Sequence, residues 1–171
     1  MAKKKSHSML KVLFDVVALV LGALVFVLLA TTHINSVVYN ALSSKQEVVA
    51  TLSGYQLINF GDGYDTGVAV VLLVLAVLAG LTMLFAALKL LCDIGLVKNA
   101  SVKKFTTFGF VASALLLVVM AIVSMIVVSS YAGKNYNETL KLGLVANWFM
   151  LILEAVVALG TSACAILSWK K

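Results

Sequence analysis

Apolar residues along this chain gather into four long blocks rather than into the alternations or amphipathic stripes of a water-soluble domain. The blocks cover residues 9–31, 67–92, 105–131 and 143–168. Each exceeds the roughly 20 residues that a helix, rising about 1.5 Å per residue, needs to cross about 30 Å of hydrocarbon. The pattern predicts four transmembrane helices. Short links after the second and third blocks suit antiparallel neighbours. The expected fold class is therefore an all-α membrane protein, a four-transmembrane-helix antiparallel bundle forming a single membrane domain over residues 1–171.

The link between the first two blocks, residues 32–66, is longer than most loops and is expected to have structure of its own. Within it, Ser44, Lys45, Gln46 and Glu47 precede Val48 and Val49. That order has the form of a capping box and predicts a short helix lying on the membrane. The β-branched and aromatic clusters at 37–39 and 48–51 also suit short strands; the helix is the favoured reading. Residues 59–67 form a turn-rich lead into the second span.

Composition agrees with membrane burial. The chain is 63% hydrophobic and 12% charged, against about 45–50% and about 25% in ordinary globular proteins. In water the excess would lie exposed as large patches, whereas lipid tails solvate it. The net charge of +6 comes with thirteen lysines and no arginine. These lysines sit at the ends of the apolar blocks and not on a separate polar face, so nucleic acid is not an expected partner. The lipid bilayer is.

Lysine placement sets an expected orientation. Lys3, Lys4, Lys5, Lys11, Lys89, Lys98, Lys103, Lys104, Lys170 and Lys171 flank one side of the spans, and Lys45, Lys134 and Lys141 the other. The positive-inside rule then puts both termini in the cytoplasm and residues 32–66 outside. Trp169 at the inner edge and Tyr131, Tyr136 and Trp148 at the outer one fit an interfacial belt. The first block is read as a span rather than a cleaved signal peptide. It is too long for one, Asp15 interrupts it, and no small-x-small site follows.

Glu154 is the most informative polar residue, because it falls mid-way along the fourth block, where an ionised carboxylate is costly. Asn147, Glu154 and Thr161 recur at seven-residue intervals, which places them on one face, expected to point into the bundle. Counting depth along the spans brings Gly80, Thr82 and Ser124 near Glu154, and at least one of these, or a water, is expected to bond it. Lys11 and Asp15 have the spacing of an intrahelical ion pair, and Lys89 is expected to snorkel near Asp93. Ala76 and Gly80, Gly109 and Ser113, and Gly160 and Cys164 are candidate helix-packing pairs of small residues.

Other chemistry is thin. His7 and His33 fall on opposite sides in this topology and cannot share a site. Asp62 and Asp65 offer too few oxygens for a hard cation. Cys92 and Cys164 lack metal or redox spacing, so no disulfide is expected; Cys92, at the cytoplasmic edge, is read as a buried inert thiol, with palmitoylation as the alternative. Asn137 begins a glycosylation sequon on the outer side. No catalytic residue, cofactor or metal is expected, and the absence of proline argues against the interrupted helices of secondary transporters.

Four spans with a longer first external connection resemble the layout of claudin-type tetraspan proteins. The resemblance is one of topology, since residues 32–66 contain neither the tryptophan nor the two cysteines that mark that family's outer loop. Tetraspanins place the large loop elsewhere, and membrane thiol oxidoreductases need cysteine pairs. The function expected is that of a non-enzymatic scaffold or assembly protein of the cell membrane, a bacterial inner membrane by its lack of arginine and disulfides. Its partners would be another membrane protein or copies of itself. The alternative is a transporter or channel subunit using Glu154.

Overall fold

The computed structural model describes residues 2–59 and 65–170. Four long helices dominate: α1 (Ala2–Leu29), α3 (Thr66–Asp93), α4 (Ala100–Lys134) and α5 (Trp148–Lys170). Each contains a stretch long and apolar enough to cross a membrane, so the chain is read as a multi-pass membrane protein. Between them lie the strands β1 (Thr32–Asn40), β2 (Lys45–Ser53), β3 (Tyr136–Asn137) and β4 (Leu142–Ala146), with a short helix α2 (Gly54–Ile58) after β2.

The all-α expectation is therefore corrected. The links between α1 and α3 and between α4 and α5 pair into an antiparallel sheet of order β2-β1-β4-β3. Residues 45–53 are strand rather than membrane-surface helix. Ser44 occupies the left-handed region at φ 53 and closes a hairpin instead of capping a helix. Asn40 holds that turn, its Oδ1 accepting from the backbone N–H of Leu42 at 3.0 Å while its Nδ2 donates to Glu47 at 2.8 Å. The working capping box lies nine residues later. Ser53 Oγ accepts from the Gln56 N–H, and Gln56 Oε1 accepts from the Ser53 N–H at 2.8 Å, which starts α2.

The fourth span also begins later than its apolar pattern suggests. Leu144, Val145 and Ala146 pair with Ser36, Asn35 and Ile34 of β1. Asn147 ends the strand and starts α5: its backbone C=O accepts from Leu151 N–H, and its side chain donates to Thr32 O at 3.0 Å. Residues 60–64, which include Asp62, lie outside the described residues, as does Lys171.

The chain divides into two compact units, and each long helix contributes a segment to both. One unit comprises Met1–Phe26, Ala76–Val119 and Ala155–Lys171. Its core gathers Ala18, Ala86, Phe110, Val111, Ala114 and Ala165, with Phe85 and Cys164 packed against them. Small residues let the helices approach: Gly22 faces Met83, Gly80 faces Phe26, Gly109 faces the Phe85 ring and Gly160 faces Leu21. Ser113 is buried, and Ala76 is half-buried.

The second unit, Val27–Leu75 and Met120–Glu154, holds the sheet. Two bulges shape it. In one, Thr32 and Ile34 face Ser53 and Leu52, leaving His33 as the extra residue; in the other, Ser36 and Val37 face Ala50 and Val48, leaving Val49 extra. A bulge interrupts the alternation of a strand and re-aims side chains. His33 and Ile34 are consequently both buried, and Val48 and Val49 both exposed.

Candidate functional site

Two buried polar clusters stand out, one in each unit. In the sheet-bearing unit, the bulge turns the His33 ring inward against Glu154 of α5, and both side chains are cut off from solvent. Gly54 at the start of α2 leaves space for this ring, since a Cβ there would lie 3.1 Å from His33 Cε1 and 2.9 Å from Leu29 O. His33 Nδ1 lies 2.9 Å from Thr31 O. A carbonyl oxygen only accepts, so Nδ1 carries a proton. The other ring nitrogen, Nε2, faces Glu154 Oε2 at 3.7 Å. One further proton must therefore sit between them, on the carboxyl or on Nε2, if the two are to attract rather than repel.

Burial works against an imidazolium, but the facing carboxyl of Glu154 outweighs it, helped by the Thr31 carbonyl, and the His33 pKa lies above its ordinary value. Neither Glu154 oxygen has a hydrogen-bond partner within 3.5 Å among the described residues, and neither does His33 Nε2. Backbone contacts reinforce the pairing: Asn147 N–H donates to His33 O at 2.8 Å, and the Asn147 side chain to Thr32 O. Three contacts thus fasten the start of β1 to the first turns of α5.

The hydroxyls expected around Glu154 are used locally. Ser124 Oγ donates to Ala121 O at 2.8 Å, Thr82 Oγ1 to Leu78 O at 2.8 Å, and Thr161 Oγ1 to Val157 O at 2.9 Å. Each is a bond back to its own helix. The polar side chain facing Glu154 is instead His33, at 3.7 Å.

The other unit contains an ion network. Lys89 Nζ donates to Asp15 Oδ2 at 2.9 Å, to Asp93 Oδ2 at 2.6 Å and to Ser168 Oγ. Ser168 Oγ in turn donates to Asp15 Oδ1 at 2.6 Å, and Lys103 pairs with the other Asp93 oxygen at 2.6 Å. The network ties α1, α3, α4 and α5 together. It corrects two expectations. Asp15 is paired across helices with Lys89 and not with Lys11, and Lys89 does not snorkel, because its side chain is only 2% exposed. In the low-dielectric interior, a lysine shared by two carboxylates and a hydroxyl satisfies all three of its donors.

No protein-family model matches the chain, and no curated protein matches it.

Proposed function

We propose that this protein is a non-enzymatic membrane scaffold that displays the free edge of its sheet to an extended segment of a partner protein or of a second copy. The carrying observation is β2. It is the outer strand of the sheet, its residues 45–51 are exposed, and among the described residues no strand pairs with its second edge. Val48 is 56% exposed, Val49 61%, and Leu42 in the adjoining turn 99%. An edge strand with unpaired backbone groups and apolar side chains is a template for strand addition.

The buried clusters support the same reading. Their partners are fastened to one another, which suits holding helices and sheet in place. The alternative, a transport or channel subunit, needs water or ions to reach Glu154, whose side chain is enclosed. By the lysine distribution, both termini face the cytoplasm and the sheet lies outside the cell membrane.

A photo-cross-linker placed at Leu42 in native membranes tests the proposal. Defined neighbours should be captured, and Val48→Lys with Val49→Lys should abolish capture while leaving the fold intact. Recovery of monomer alone under efficient cross-linking overturns it.

A further inference from the structure

A cleft of about 710 Å³ opens on the unit that holds the ion network, and it combines a basic end with apolar walls. Lys11, Lys89, Lys103 and Lys104 line it together with Asp93, while Phe108, Val111, Ala112 and Leu115 form the wall along α4, with Trp169 of α5 at its margin. The charges do not balance. Lys89 is matched by Asp15 and Asp93, and Lys103 also by Asp93. Lys11 and Lys104 hold no carboxylate among the described residues, so four lysines face two acids.

The wall has the dimensions of one leaflet. From Lys104 to Leu115 α4 rises about 16 Å, close to half of the roughly 30 Å hydrocarbon core. Phe108, 72% exposed, and Leu115, 47% exposed, lie on one stripe of α4 with Ala112 between them, and Val111 forms a buried floor. Ala112 gives that stripe a recess between two large side chains. Trp169, 60% exposed, is of the type that sits at headgroup level. A soluble anion would use the lysines and ignore the wall; a neutral lipid would do the reverse.

We propose that this cleft binds one anionic phospholipid of the surrounding leaflet, its phosphate on Lys11 and Lys104 and an acyl chain along Phe108, Ala112 and Leu115. Basic pockets at the ends of transmembrane helices recognise acidic headgroups in this way. The site is independent of the edge-strand reading, because none of its residues belongs to the sheet-bearing unit. Lys103 also has reason to stay with Asp93, which leaves the two unmatched lysines as the specific element.

Native mass spectrometry of the full chain, released from micelles containing equal phosphatidylglycerol and phosphatidylcholine, reads the proposal. One phosphatidylglycerol should be retained in preference, and its apparent affinity should fall about five-fold for Lys11→Gln or Lys104→Gln and roughly 25-fold for both. Neither lysine takes part in the ion network, so thermal unfolding in lipid-free detergent should be unchanged. Phe108→Ala should weaken phosphatidylglycerol without altering the preference for its headgroup. Equal retention of the two lipids, or indifference to the double substitution, would overturn the proposal. So would displacement of the bound lipid by millimolar inorganic phosphate, which would make the ligand a soluble anion.

Discussion

Replacing Lys89 with methionine keeps an unbranched side chain, one heavy atom shorter, and removes its charge and donors. Lys89 is 2% exposed and Asp15 fully buried, so the substitution leaves the Asp15 carboxylate with the Ser168 hydroxyl as its sole remaining donor among those described. Asp93 keeps Lys103. Removing one member of a buried ion pair costs about 3–5 kcal/mol, since the other charge is stranded. That lowers the folded-to-unfolded ratio by roughly two to four orders of magnitude. Asp15→Asn should cost less, because Lys89 retains Asp93 at 2.6 Å. The combined Asp15→Asn and Lys89→Met variant should be more stable than Lys89→Met alone, because no charge is left stranded at Asp15. Reversible unfolding in mixed micelles titrated with sodium dodecyl sulfate measures all three. If Lys89→Met falls within about 0.5 kcal/mol of the parent, or if the two changes are additive, the network is not a stabilising unit and the reasoning fails.

Two further outcomes follow from the sheet-bearing unit. The raised His33 pKa means that the attraction to Glu154 is fully present below the ordinary histidine value of 6.5 and is lost as pH rises through the folded value. Each unit of elevation corresponds to about 1.4 kcal/mol. Thermal unfolding followed from pH 6 to pH 9 should show a loss of stability that His33→Gln removes; identical pH profiles would refute the pairing. At Gly143, φ is +134 and an added Cβ would run into the backbone of Asn135 and Tyr136. Gly143→Ala should therefore cost at least about 1–3 kcal/mol, and more than Gly95→Ala, where φ is +85 but the surrounding space is open. Equal thermal unfolding midpoints for these two variants would remove the steric explanation.

The four spans were legible because hydrocarbon burial is written in consecutive residues. The sheet was obscured by two local coincidences. Ser44 to Glu47 and Ser53 to Gln56 both fit a capping box, and only the second is used. Leu144, Val145 and Ala146 are apolar enough to extend a membrane span, and only their pairing with β1 shows them to be strand. Lys11 lies four residues from Asp15 and attracts a local pairing, whereas the partner that buries that carboxylate comes from a different helix. A clue was present: Asp15, Lys89 and Asp93 all fall toward the lysine-rich ends of their spans. His33 could not have been found by pattern, because its inward aim depends on a bulge set by long-range register.

The sheet order β2-β1-β4-β3 places β1 between a strand that follows it immediately and one made near the end of the chain. During synthesis, β1 and β2 can form their hairpin as soon as the first two spans are inserted, but the other edge of β1 stays open until residues 143–146 arrive. Insertion and completion of the sheet are therefore separate events. A chain cut in the link between α3 and α4 carries complementary halves of one sheet, and co-expression of the two fragments would rejoin them by strand pairing as well as by helix packing.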